Sequence, residues 1–160
     1  MEGEYLLSSF LQEIYCKIYD DVFSYDDFES RKKLQKAVYL LENMGVYIGD
    51  YSFSWDTYGP YSLSLDCTAS QIRENDEIFH PFSEFAEECF GKVKNIVNQN
   101  SQYDCAIWME CVASLHYLKN VFRYKDETVI DELVKRKPYL TNIEANRQAL
   151  KIANTIKVGI

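Results

Sequence analysis

The chain has 160 residues, 47% of them hydrophobic and 26% charged, with a formal net charge of -8; this balance fits one core-forming domain and excludes both a disordered chain and a surface that is basic throughout. No apolar run approaches the roughly 20 residues that span a bilayer, and the acidic start MEGEYLL lacks the basic stretch and cleavage site of a signal peptide, so a cytoplasmic protein without membrane contact is expected. Aromatic residues make up 15%, chiefly 13 Tyr and 9 Phe, and they supply core volume and binding surface alike.

From Glu4 to Tyr19, residues Leu7, Phe10, Leu11, Ile14 and Ile18 recur at the spacing of one helix face. An acidic linker with Asp20, Asp21, Asp26, Asp27 and Glu29 follows, after which Ser30 offers a capping oxygen to a second helix ending near Met44, where Gly45 can take the left-handed stop. Leu34, Ala37, Val38, Leu41 and Met44 form its core stripe, and Lys32, Lys36 and Asn43 are expected to face away. Arg31, Lys32 and Lys33 then fall at the positive end of the helix dipole, which calls for something negative nearby: the acidic linker, or an external phosphate or partner carboxylate.

After Gly45 the period changes to two, with Tyr51, Phe53 and Trp55 alternating with Ser52, Ser54 and Asp56 as in a half-buried strand. Val46 to Ile48 is its expected hairpin partner across Gly49-Asp50. Tyr58-Gly59-Pro60-Tyr61 turns the chain, and Ser62 caps a helix from about Leu63 to Glu74 with Leu65, Ala69 and Ile72 inward, its far end running out in Arg73-Glu74-Asn75-Asp76. Pro81 and Ser83 open a stronger helix, with Phe82, Phe85, Ala86, Cys89, Phe90, Val93, Ile96 and Val97 as an apolar stripe expected to form the central core helix. Asn98 to Gln102 reads as a loop, and Asp104 starts a further helix with Cys105, Trp108, Val112, Leu115 and Leu118 at core spacing.

The last third reads as a helical hairpin. Asp126 caps a helix with Val129, Ile130 and Leu133 inward; Lys137-Pro138 ends it; Thr141-Asn142-Ile143-Glu144 is a capping box for the final helix, with Ala149, Leu150, Ala153 and Ile156 inward. Residues 135–160 hold six basic side chains against the single acid Glu144, so they carry +5 and the remainder -13. A basic end on an acidic body suits nucleic acid, an acidic protein or a second copy in a homodimer, and is equally met as a solvated helix face.

Chemistry-bearing residues are sparse. Cys16, Cys67, Cys89, Cys105 and Cys111 are odd in number, irregularly spaced and without a Cys-x-x-Cys pair, so they read as reduced, mostly buried thiols. The two histidines, His80 and His116, sit in no zinc motif and beside no catalytic cysteine, and no glycine loop is spaced to cradle a phosphate. No catalytic constellation, cofactor or metal is expected. Binding has better material: helix, turn and helix over residues 126–157 outlines a DNA-reading unit, with Asn142, Asn146, Arg147 and Lys151 as candidate contacts; a plain helical hairpin packed on the core is the other reading, and the long Lys137–Thr141 connection fits it better.

RKKLQKAVYLLENMG followed by YGPYSLSL, and later WMECVASLHYLKN with DETVIDELVKRKPYLTNIEANRQALKIA, resembles the small bacterial proteins of the YwgA-like kind and, more loosely, the Panacea domain of SocA-type antitoxins. The likeness spans about two thirds of the chain and rests on Leu34, Gln35, Lys36, Tyr39, Leu40 and Leu41, on Tyr58 to Ser62, and on Lys137 and Pro138. It implies a helical domain with a minor strand element and, from Panacea-like domains, a role in neutralising or delivering a partner protein; it implies no reaction. The polar stretch from Ser70 to Phe85 departs from a winged-helix pattern. The expectation is therefore a mostly α single domain over 1–160, of six or seven helices with a short strand or hairpin near residues 46–56. It would act as a non-enzymatic adaptor or regulatory partner of a toxin–antitoxin or phage-defence complex, binding another protein through Arg31, Lys32, Lys33, Lys36, Tyr58, Gly59, Pro60 and Tyr61. The alternative is a DNA-binding regulator using residues 126–157.

Overall fold

The computed structural model describes residues 2–73, 80–99 and 102–158, so the expected loop residues 74–76 and 100–101 lie outside it. Among the described residues there are seven helices, α1 (Glu2–Tyr19), α2 (Phe28–Asn43), α3 (Leu63–Ala69), α4 (Glu84–Gln99), α5 (Cys105–Asn120), α6 (Asp126–Arg136) and α7 (Ile143–Ala153), and two strands, β1 (Ser54–Asp56) and β2 (Gly59–Tyr61). The expected mostly α bundle with a short hairpin is the architecture observed.

The centre of the bundle is α5, not α4. Twelve residues of α5 are buried, on every side of the helix, as befits a helix that is apolar all round; it packs against α2, α4, α6, α7 and β2. Trp108 is fully buried and its indole N–H donates to the Ile96 carbonyl at 2.7 Å. By contrast α4 is one-sided, burying Ala86, Cys89, Phe90, Val93 and Ile96 while Phe85 stays 39% exposed. A second apolar cluster joins Leu11 and Tyr15 of α1, Phe23 of the acidic linker, Leu34 and Val38 of α2, and Leu65 and Ala69 of α3. Phe23 ties that linker to the fold, edge-on to the Tyr15 ring at 5.3 Å.

Local signals fix most helix ends, though sometimes one to three residues away from the expected place. Asp27, not Ser30, caps α2 by accepting from the Glu29 N–H, and the buried Ser30 hydroxyl donates to the other Asp27 oxygen at 3.1 Å. The helix therefore begins three residues earlier than expected. Gly45 takes φ +102° just beyond α2, the left-handed stop that its lack of a Cβ permits. Ser62 caps α3 and Asp104 caps α5 as expected, whereas α6 starts after Lys125 with no side-chain cap, and Asn142 rather than Thr141 caps α7.

The hairpin differs from expectation. β1 pairs antiparallel with β2, Ser54 opposite Tyr61, Trp55 opposite Pro60 and Asp56 opposite Gly59, so the chain reverses at Thr57-Tyr58 and not at Gly49-Asp50. Residues Val46 to Phe53 are irregular: Val46 is buried in the main core, with Ile48 and Phe53 packed against that core. Tyr51, Phe53 and Trp55 are half-buried and their neighbours exposed, so the period-two burial is real even where no ladder forms. Pro60 is tolerated because a two-stranded ribbon has only edges, where a missing N–H costs no ladder bond.

Gly59 is the position with least freedom. It has φ +94°, and a Cβ placed there would lie 2.4 Å from Ser114 Oγ of α5. Gly59→Ala is expected to lower stability by about 2–4 kcal/mol through backbone strain and overpacking. Gly91→Ala, inside α4 with nothing within 4 Å of the added carbon, is expected to raise it by about 0.5–1 kcal/mol. Urea unfolding midpoints of the two variants check both signs.

Candidate functional site

Lys36 lies on α2 among eight successive buried residues, Leu34 to Leu41. It was expected to face away; instead its side chain is 1% exposed and its Nζ donates to the Pro60 carbonyl at 2.8 Å. Lys137, at the end of α6, reaches the same hairpin from the other side, donating to the Thr57 carbonyl at 2.6 Å and lying 3.0 Å from a Glu110 carboxylate oxygen. Glu110 of α5 is 1% exposed and also accepts from the Tyr139 hydroxyl. Two lysine side chains thus hold the turn by its backbone oxygens, with Lys137 paired to Glu110 and Lys36 within electrostatic reach of that carboxylate.

Burial pushes the Lys36 ammonium down to about 7, with Glu110 pulling the other way and Lys137 reinforcing the shift. Lys137 is also lowered by burial, against the pull of its Glu110 partner. The Tyr139 phenol moves up, first through burial and then through its bond to Glu110.

Above this cluster, Arg31, Lys32 and Lys36 of α2 line a cleft of about 230 Å³ together with Asp56, Tyr58 and Tyr61 of the hairpin. Five of the eight expected partner-binding residues therefore converge on one concavity. Gly59 and Pro60 are buried beside it. Lys33 turns elsewhere, its ammonium 4.8 Å from the Tyr19 ring centroid and 5.5 Å from that of Tyr15. The earlier start of α2 moves Lys32 and Lys33 beyond the first turn, where dipole repulsion is strongest, and leaves Arg31 at its end. Aromatic faces lie against them: Arg31 is over Tyr25 and Phe28, and Lys32 over Phe28 and Tyr58. Lys32 also pairs with Glu29 at 3.4 Å.

The DNA-contact candidates separate into two kinds. Asn142 caps α7, and its N–H donates to the Tyr103 hydroxyl. Asn146 is fully buried, its amide donating to the Leu140 carbonyl and its oxygen accepting from Tyr103. Neither side chain is free to read a base edge. Arg147 and Lys151 are exposed, Arg147 paired with Glu144 at 3.1 Å.

Both histidines are buried and hydrogen-bonded within the fold. His80 is 5% exposed, its Nδ1 2.5 Å from Glu13 and its Nε2 3.1 Å from Ser9. His116 lies inside α5 between the Tyr39 hydroxyl and the Ile156 carbonyl, and burial lowers its affinity for a proton. The five thiols are free, with Cys89 and Cys111 buried and Cys67 exposed. Among the described residues no group of three or more His, Cys, Asp or Glu gathers as a metal site.

Glu110, Tyr139 and the buried role of Lys137 escaped sequence reasoning. One signal was available: Glu110 is the lone acid inside the apolar run from Ala106 to Ala113, and a carboxylate placed there needs a cation. No protein-family model, curated protein or solved structure significantly matches the chain.

The lowered Lys36 has a consequence for stability. Unfolded, it titrates near 10.5, so between about pH 7 and 10 the unfolded state holds more protons and stability rises with pH; below about pH 7 the folded state carries the full cost of a buried ammonium. Lys36→Met removes this slope while leaving the Pro60 carbonyl without its donor. From pH 7 to 10 the parent is expected to gain on the order of 2–4 kcal/mol over the variant. Urea titrations at several pH values measure the gap, and parallel curves would rule the assignment out.

Proposed function

We propose that the protein is a non-enzymatic interaction subunit, an adaptor or regulatory partner, that docks another protein on the face made by the start of α2 and the β1–β2 turn. The carrying observation is an exposed aromatic pair at the cleft rim. Phe28 and Tyr58 are 43% and 38% exposed, their rings meet edge to face with centroids 5.2 Å apart, and the Lys32 ammonium lies 4.9 Å from each centroid. Rings held in place by packing contribute large contact area at small entropic cost, and aromatic residues with Arg are the usual anchors of interfaces.

The machinery beneath the face supports a binding role. Lys36 is spent on the Pro60 carbonyl, and Lys137 on the Thr57 carbonyl and on Glu110, which fixes a surface; among the described residues no acid, base and nucleophile are brought together on it. The likeness of the KLQK helix, the YGP turn and the Lys-Pro turn to YwgA-like and Panacea-like proteins suggests the setting, a bacterial or phage-encoded toxin–antitoxin or phage-defence complex, with the toxin or a defence subunit as partner. No helix among the described residues is long and apolar enough to cross a membrane.

Affinity capture from the native host tests the reading. One stoichiometric partner is expected, with affinity falling about 30-fold or more, some 2 kcal/mol, in Phe28→Ala and Tyr58→Ala while circular dichroism stays that of the parent. Recovery of no stoichiometric partner, or of one held equally well by both variants, would refute it.

A further inference from the structure

Three lysines meet in a trough at the end of α2 away from the docking face; roughly 20 Å of helix separates Met44 from Arg31. The trough has a volume of about 420 Å³ and an apolar floor of Met44, Ile96 and Ile152. One wall is α4, which presents Lys92, Asn95 and Gln99 at helical spacing; the other is Lys151 of α7, with Thr155 and Lys157 just beyond that helix. All six wall residues are exposed, so their polar ends are open to a ligand. Among the described residues no acid lines the trough. Lys17, Lys32, Lys94, Lys119 and Lys137 each pair with a carboxylate, whereas Lys92, Lys151 and Lys157 form no ion pair among the described residues. Glu88, one turn before Lys92, is exposed and not paired with it. Lys151 suits the negative end of the α7 dipole, but Lys92, in the middle of α4, has no such role. A concave surface lined by one sign of charge focuses its field and draws counter-ions in. The trough on the other side of Lys151 lacks this property, because Arg147 and Lys151 there face Asp126 and Glu144 and the charges cancel.

We propose that the trough between α4 and α7 binds the phosphodiester backbone of a single-stranded nucleic acid. It is a second surface, and it stands independently of the docking face. The residue types select the ligand. Lysine is a point charge that suits phosphate, whereas a carboxylate partner is matched best by the arginine fork, and the trough holds no arginine. Protein interfaces are depleted in lysine and anchored by aromatic rings, and no ring lines this trough. The same lack of rings removes base stacking, so the strand is held by its backbone without sequence preference. Asn95, Gln99 and Thr155 add neutral donors of the kind that contact phosphate oxygens. Each wall is a single helical segment, so one strand lies lengthwise in the trough while a duplex would rest on its rims. The net charge of -8 resides elsewhere on the surface, is screened beyond about 10 Å at 0.1 M ionic strength, and keeps the binding weak.

Fluorescence anisotropy of a labelled oligothymidylate of about twelve nucleotides, titrated with the full chain, tests the site. At about 50 mM NaCl a Kd on the order of 10–100 µM is expected, with a log–log salt slope of about -2, the value for three phosphates on a single strand. Lys92→Gln and Lys157→Gln should each weaken binding about threefold or more and make the slope about 0.7 shallower. Adding Lys151→Gln to both should abolish saturable binding. Lys125→Gln with Lys135→Gln, which removes two exposed charges outside the trough, should bind as the parent does. Glutamine keeps most of the helix propensity of lysine; should a variant misfold, the parent's salt slope and amide shifts centred on residues 92–99 and 151–157 carry the result. No saturable binding, a slope near zero, or equal losses in the Lys125→Gln, Lys135→Gln control overturns the proposal. So does a poly-glutamate peptide or a duplex of the same length bound as tightly as the strand. Partner capture through Phe28 and Tyr58 does not involve these lysines, so each reading can fail alone.

Discussion

Two buried lysine side chains holding a hairpin of three-residue strands by its carbonyls are the constraint on which the rest of the surface depends. Strands as short as Ser54–Asp56 and Gly59–Tyr61 form too few ladder bonds to persist alone in water. Lys36 from α2 and Lys137 from the end of α6 supply the missing bonds from outside the sheet, and Glu110 from α5 limits the repulsion between them. Burying three charged groups costs several kcal/mol each before pairing. The return is positional: the turn carrying Tyr58 is set by three helices at once, and Gly59 lets it approach α5 without an intervening side chain.

Cations and rings organise the layer above. Arg31, Lys32 and Lys33 each lie over two aromatic faces. These contacts keep long side chains against the protein, which lowers the ordering cost of any docking at the proposed face. The same contacts join the linker, through Tyr25, to α1, through Tyr15 and Tyr19, and to the hairpin, through Tyr58. The basic edge of α2 is thus a seam between elements as well as a charged surface.

Helices, their order and most of their inward faces were legible in the chain because periodicity and capping are local. Leu34, Val38 and Leu41 announce the buried face of α2, and Ser62, Asp104 and Gly45 mark ends where they occur. The fate of Lys36 was not legible. A stripe argument assigns the opposite face of a helix to water, but α2 touches α1, α3, α4, α5 and β2, so its opposite face is buried too. Asn146 misled for a related reason: its polar amide looks available until Tyr103 and the Leu140 carbonyl, brought in by the tertiary fold, consume it. Five of the residues lining the cleft were named from a single stretch of sequence, because α2 and the hairpin are neighbours in the chain. Glu110 and Lys137 could not be joined to them, because that pairing exists only after folding.

The span of the Lys137 to Thr57 bond, 80 residues, also sets an order of events. Contacts between distant residues form only after the intervening chain is synthesised and its loop-closure entropy has been overcome. α2 and the strand sequences leave the ribosome long before Lys137, so during synthesis the turn exists without one of its two anchors. The hairpin gains its second anchor only when the end of α6 arrives, and a chain arrested before residue 137 carries Phe28 and Tyr58 without that means of holding the turn in shape.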